Sequence, residues 1–383
     1  MDEKTRKIIE KARKKKSKNV KRMERWEQAS QSQLIWHNFT KHRLAVVSLV
    51  LLFLMFMVAI FAEFVAPYQL TQRFRDYANS PPTKVHFFDE NGKLSKPFIY
   101  GTKTTLNPAT FTYVYEVDTS IRYPLKMFVK TNPYKIAGII PANRKLFGVD
   151  GDQPLFLMGS DLLGRDLFTR IIIGSRISLF VGLGGVLISF TLGLVLGGIS
   201  GYFGGKIDEI IQRGIDFIMS LPQIPLWMAL SAAVPKHWSG IQTYFAITII
   251  LSLVGWTGLA RVVRGKLIAL REEDFVVAAK VSNASDAFII TRHLIPGFMS
   301  YLIVNLTMAI PGMILGETTL SFLGLGILPP NVSLGSLLQD AQNLTAISNY
   351  PWLLFPGLFV VAIVILFNFV GDGLRDAADP YGR

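Results

Sequence analysis

The sequence predicts an all-α polytopic membrane protein. Half of its 383 residues are apolar and only 17% are charged. The apolar residues gather in blocks of about twenty, the length a helix needs to cross about 30 Å of hydrocarbon. Lys and Arg concentrate in alternate connections between those blocks, as positive residues do on the side of a membrane where they are retained.

Residues 1–43 form a basic tail with 14 Lys or Arg against 5 acids, which accounts for most of the net charge of +13. A run such as Lys11, Arg13, Lys14, Lys15, Lys16 and Lys18 beside a span suits membrane lipids with anionic headgroups, at about 1 kcal/mol per residue near the surface. No nucleic acid partner is expected. Leu34, Ile35, Trp36 and Phe39, next to Lys41 and Arg43, predict an interfacial elbow helix. The charged stretch before the first apolar block is too long for a secretory signal, so the first span is expected to stay in the mature chain.

Six blocks, at about 44–66, 178–203, 215–234, 244–262, 298–324 and 352–371, predict six transmembrane helices. Lipid offers the backbone no hydrogen-bond partner, and these runs are too long for barrel strands. Lys206 and Arg213 mark the 204–214 turn, and Arg264, Lys266, Arg271, Lys280 and Arg292 mark the 263–297 loop. The 235–243 turn has only Lys236, and the 325–351 connection has no Lys or Arg. Both termini are therefore expected in the cytoplasm. The chain divides into a tail and elbow (1–43), a first transmembrane helix (44–66), an extracytoplasmic insert (67–173), a five-span core (174–373) and a cytoplasmic C-terminal tail (374–383). The insert alternates aromatics from Phe111 to Val117 and carries Asp89, Glu90, Asn91 and Gly92 between two runs. Asn-Gly favours a hairpin turn, which makes the insert a small β-rich lobe. With no Cys in the chain, no disulfide can staple it.

Within the core, Gly185, Ser189, Gly193, Gly197, Gly201 and Gly205 recur every four residues. That places a small-residue stripe on one helix face, suited to close helix packing, with a lining of the translocation path as the alternative. Pro222 and Pro225 should kink or shorten the third span. The chemistry of catalysis is missing. The nearest approach to a phosphate-binding P-loop, Ser200 to Ile207, lacks the first Gly and the final Ser or Thr. Neither Asp150-Gly151-Asp152 nor Asp89–Gly92 supplies a calcium ligand series. The five scattered histidines suggest no metal cluster and no dyad. Glu317 is the clear intramembrane carboxylate. Hydrogen bonding to hydroxyls such as Thr318 or Thr319 at a helix end or interface is the favoured role, and a direct solute contact the alternative.

Several stretches in order then carry a family resemblance: GSDLLGRDLFTRIIIGSRISL from Gly159, GYFGGKIDEIIQRGIDFIMSLPQIP from Gly201, WTGLARVVRG from Trp256, DFVVAAKVSNASDAFIITRHLIP from Asp274, ETTLSFLGLG from Glu317, PPNVSLGSLL from Pro329 and GDGLRDAADP from Gly371. The chain resembles the C-type inner-membrane permeases of oligopeptide and dipeptide ABC importers, over about 34–66 and 155–383. The resemblance implies the type I ABC importer permease fold in a bacterial plasma membrane. It also implies a B-type permease partner, two ABC ATPase subunits and an extracytoplasmic solute-binding protein. ATP and Mg would bind the ATPases, and this chain would bind no cofactor. The 272–296 loop would be the coupling loop that sits in an ATPase groove. There Ala278, Ala279 and Ala284 would allow close approach. Phe275, Phe288 and Ile289 would be apolar knobs, Asp274, Lys280, Asp286 and Arg292 rim charges, and Pro296 the boundary proline. Asn283 stands where the family usually has Gly, and Asn is the next best residue for a left-handed conformation. Related permeases carry oligosaccharides or nickel complexes, so the cargo stays open. An ion-coupled secondary transporter is disfavoured by the scarcity of intramembrane carboxylates, and a membrane-anchored scaffold is the third class.

Overall fold

The computed structural model describes residues 31–88, 92–108, 112–235 and 237–379. The basic run at 11–18, the turn at 89–91, Phe111, Lys236 and Pro380 lie outside the described residues. Helix α1 (Gln31–Phe39) is the elbow. Its Trp36 is exposed, while Phe39 is buried against the last helix. The imidazole Nδ1 of His42 then accepts the Ala45 N–H and caps α2 (Arg43–Ile60). A further helical turn, Ala62–Val65, ends the first span.

The insert folds as expected into a small sheet. Strands β1 (His86–Phe88), β2 (Leu94–Asn107), β3 (Thr112–Ile136) and β4 (Ile140–Val149) form an antiparallel meander in sequence order. The long β3 serves two partners. Its first half pairs with β2, as at Tyr115 opposite Thr104; its second half pairs with β4, as at Val129 opposite Lys145.

The core begins with α3 (Leu167–Phe203), which starts well before the predicted 178. Asp166 caps it by accepting the Thr169 N–H at 2.8 Å, and this extra length brings Arg170 and Arg176 into the helix. Helix α4 (Gly205–Ser220) and helix α5 (Gln223–Ala232) follow. They replace the single third span with a pair bent by 89°. The cause is local: Leu221 is extended before Pro222, and Pro222 is itself extended as the N-cap of α5. A residue preceding proline is pushed out of the helical region, and proline supplies no N–H to continue the ladder. Helix α6 (Gly240–Leu270) opens on a Ser239–Gln242 capping box. Helices α7 (Asp274–Val281), α8 (Met299–Phe322), α9 (Leu334–Gln339) and α10 (Phe355–Ala378) complete the core. Among the described residues, five helical stretches are long and apolar enough to cross a membrane, and six if the bent pair counts as one crossing.

The pairing of α3 with α6 is the most extensive between helices, with α8 on α3 and α10 closing against α8 and α2. The glycine stripe makes it so. A Cβ on Gly193 would lie 2.9 Å from Trp256 O, on Gly197 2.5 Å from Ala260 O, and on Gly201 2.7 Å from Arg264 O. Only glycine lets the two backbones approach this closely.

Candidate coupling surface

The segment after α6 turns through Arg271–Glu273 into α7, whose C-terminus is set by Asn283. That residue has φ +56. Its N–H donates to Lys280 O at 2.9 Å, and the Ala284 N–H donates to Ala279 O at 3.1 Å. This is the Schellman pattern with Asn in the place usually taken by glycine, as the sequence leads one to expect. Ser285 then caps a short helical turn, Asp286–Phe288, by accepting the Phe288 N–H. A π turn over Ile289–Leu294 and a last turn at Ile295–Gly297, which includes Pro296, lead into α8.

This segment is built onto the helix bundle from its inner side. Val276, Ile289, Leu294 and Phe298 are buried with Tyr202, Leu259, Val263 and Leu267, and Ala279 and Ala284 pack against the same cluster. Tyr202 donates its hydroxyl to Asp286 at 2.6 Å, and the Lys280 ammonium lies 5.3 Å from the centre of the Tyr202 ring. Arg271 donates to Gly201 O at 3.4 Å. Nearby, Arg264 on α6 grips Asp208 on α4 through two bonds of 2.5 and 2.6 Å. The α7 segment is thus bonded to α3, and α6 in turn to α4.

Two expectations change here. Ile289, predicted as an outward knob, is fully buried. In a π turn residues five apart align, so Ile289 and Leu294 share the inner face. The alanines divide as well. Ala278 is exposed, whereas Ala279 and Ala284 are partly buried and serve close approach to the chain's own helices. The outer face instead carries Phe275, Val277, Phe288 and Val281, the last 83% exposed. His293 sits between the two phenylalanine rings, at 6.3 and 5.5 Å. Asp274, Lys280, Asp286 and Arg292 are exposed around this patch. Val277 and Val281 were invisible as site residues because valine at i, i+4 on a short helix reads as core; only the burial of Val276 decides which face is inside.

The remaining candidates lie apart from this surface. Glu317 is completely buried, and its partners are not Thr318 or Thr319. It accepts from Ser178 on α3 at 2.8 Å and from Ser321, one turn along α8, at 2.7 Å. Ser178 also accepts the Leu334 N–H at 3.2 Å, which ties in the start of α9. Thr319 bonds back to Leu315 O at 2.7 Å instead. Toward the N-terminal end of α3, Asp161 forms a second buried hub. It accepts the N–H groups of Leu163 and Arg165 and the guanidinium groups of Arg165 and Arg170, and Arg170 also reaches Asp340 at 3.6 Å. The i, i+4 spacing of Asp161 and Arg165 was the available signal for this cluster. Among the described residues no group of three or more His, Asp or Glu is placed to hold a metal.

Bundled apolar helices, a broken third crossing and a loop packed onto the bundle from one side define a polytopic helical membrane protein. The family profile described as "Binding-protein-dependent transport system inner membrane component" matches residues 193–381. The profile described as "N-terminal TM domain of oligopeptide transport permease C" matches residues 30–82. The chain is 42% identical over 226 residues to "Oligopeptide transport system permease protein OppC" of Haemophilus influenzae, covering 59% of this chain and 70% of that protein. It is 31% identical over 352 residues to "Dipeptide transport system permease protein DppC" of Bacillus subtilis, covering 92% of this chain and 86% of that protein. A solved structure of the inward-facing MetNI methionine ABC transporter is 18% identical, with a TM-score of 0.44 over 55% of this chain and 96% of that one. The chain belongs to the family of binding-protein-dependent ABC transport permeases, of the OppC and DppC type.

Proposed function

We propose that this chain forms half of the path of an ATP-driven importer of oligopeptides. A homologous B-type permease would supply the other half. Two ABC ATPase subunits, holding ATP and Mg, would drive it, and an extracytoplasmic solute-binding protein would deliver the cargo. Both termini and the α7 segment lie on the cytoplasmic side in this reading, supported by the distribution of Lys and Arg in the short connections. The peptide cargo is supported by the names of the relatives, which concern oligopeptide and dipeptide transport.

The observation that carries the reading is the two-sided construction of α7. Its inner face is anchored by Val276, and the turn that follows by the Tyr202–Asp286 bond, while Phe275, Val277 and Val281 on α7 and Phe288 on that turn are exposed. An apolar face of a short helix ringed by charge is the pattern of a helix docking into a groove. Closure of the ATPases would displace α7. The Arg271, Arg264 and Tyr202 bonds would pass that displacement to α3, α4 and α6 and switch the permease pair from inward-facing to outward-facing.

Val281→Asp is the test, because Val281 supports no interior packing. Uptake by the reconstituted complex should be lost, and the ATPases should dissociate more readily, with membrane level and melting temperature unchanged. Full transport and full ATPase retention in Val281→Asp would refute the docking assignment. Ala279 is the poorer choice, since its partial burial would let a bulky charge damage the fold itself.

A further inference from the structure

The β3–β4 hairpin ends in a tip where Ile136 pairs with Ile140 and the Ile139 N–H closes onto Ile136 O at 3.0 Å. The tip leaves Ile139 79% and Ile140 53% exposed. Large aliphatic side chains this open add nothing to the interior of the lobe. Lys135, next to the tip, and Lys130, farther up the stem opposite Arg144, are exposed as well.

Three contacts fix the position of the tip relative to the spans. Phe147, near the end of β4, lies 5.9 Å from the ring of Phe168 at the start of α3. Lys145 Nζ, two residues closer to the tip, donates to Glu63 O at 2.7 Å and Tyr68 O at 3.5 Å. At the tip, the Ala137 N–H donates to Glu63 Oε2 at 3.2 Å. The same carboxylate is held by Arg176 through bonds of 2.9 and 2.6 Å, and Arg176 Nε donates to Ala59 O at 2.8 Å.

From Phe168 to Arg176 the α3 axis advances about 12 Å, at about 1.5 Å per residue. The hairpin therefore runs down beside α3, toward the bilayer. The depth it reaches can be read from the charges. After Arg43 no charged residue occurs until Glu63, and after Arg176 none occurs until Lys206. Glu63 and Arg176 thus mark the outer edge of the hydrocarbon on two adjacent spans. Side chains on a helix lean toward its N-terminus, so Glu63 leans back toward the membrane as it meets the tip.

We propose that the β3–β4 hairpin is an anchor in the outer leaflet, with Ile139 and Ile140 inserted at the level of the upper acyl chains and Lys130 and Lys135 facing lipid phosphates. The pattern is that of an interfacial element with an apolar face and basic flanks. Its occupant is lipid because the tip is bonded to Glu63, which together with its partner Arg176 bounds the hydrocarbon. The anchor would hold the lobe at a set height and tilt over the outer mouth of the permease.

The chain has no cysteine, so Ile139→Cys can carry a single bimane label on this chain, studied in the full transporter in nanodiscs with partner subunits made cysteine-free. Val117→Cys is the reference. It is 68% exposed on the half of the sheet tied to Ala78 and Gln153, above the start of α3. The label at 139 should have blue-shifted emission, lose intensity in nanodiscs of tail-brominated phosphatidylcholine, and keep it in aqueous iodide. The label at 117 should behave in the opposite way. Quenching of the 139 label by iodide and not by brominated tails would place the tip in water and overturn the proposal. Protection from both quenchers would place it under another protein and overturn it equally. The readout needs neither ATP nor cargo, so failure here leaves the permease assignment intact.

Discussion

Replacing Gly197 by alanine tests the packing that organises the core. The new Cβ would lie 2.5 Å from Ala260 O, 2.8 Å from its Cα and 3.0 Å from its carbonyl carbon. These are backbone atoms, and no rotamer change relieves them. Restoring an ordinary C···O separation requires α3 and α6 to part by about 1 Å locally, along the most extensive helix pairing in the molecule. Overpacking of this kind costs about 1–3 kcal/mol, roughly a 5- to 150-fold shift in the folded-to-unfolded ratio. Gly185 lies on the same stripe, but a Cβ there would meet Met313 Sδ at 3.4 Å and Ser252 Oγ at 3.6 Å, an ordinary contact. Gly185→Ala should therefore be neutral or gain up to about 1 kcal/mol from helix propensity. Equilibrium unfolding in bicelles, followed by helical circular dichroism, compares the two. Equal stability of Gly197→Ala and Gly185→Ala, or a stabilised Gly197→Ala, would refute the close approach and return the stripe to the solute path.

Two further predictions follow from buried polar groups. Glu317→Ala removes the acceptor for Ser178 and Ser321, whose bonds join α3, α8 and the start of α9; bonds to a carboxylate are worth about 1.5–3 kcal/mol each and do not add fully, so a loss of about 2–4 kcal/mol is expected in the same unfolding assay. Glu317→Gln should recover part of it, and a Glu317→Ala protein as stable as the parent would contradict the network. Burial pushes the Lys145 amine down from an ordinary 10.5 to about 8. Between those values the unfolded chain binds a proton that the folded one has released, so stability of the lobe rises with pH across that window. Hydrogen exchange of β4, corrected for the intrinsic rate, should slow from about pH 8 to 10.5 and lose this dependence in Lys145→Met; a flat profile in the parent would count against it.

The membrane helices were legible because hydrocarbon imposes one rule on every residue it touches, and a block of twenty apolar residues meets that rule without reference to its neighbours. The close-packed stripe was legible for the same kind of reason, since a period of four on a helix forces Gly193, Gly197 and Gly201 onto one face. The left-handed conformation of Asn283 was legible only with the family resemblance, which puts Gly at that position; Asn is the residue that replaces it most readily there. The break at Pro222 was visible too, although its 89° angle was not. What tertiary structure alone decided were choices between faces and between distant partners. Ile289 and Val281 are both exposed-or-buried ambiguities on short helices, resolved only when Tyr202 and Val263, far away in sequence, occupy one side. Ser178 reaches Glu317 across 139 residues, and Arg176 reaches Glu63 across 113. Such pairings depend on how whole helices settle against each other, a sum over many weak contacts that no single stretch of sequence carries.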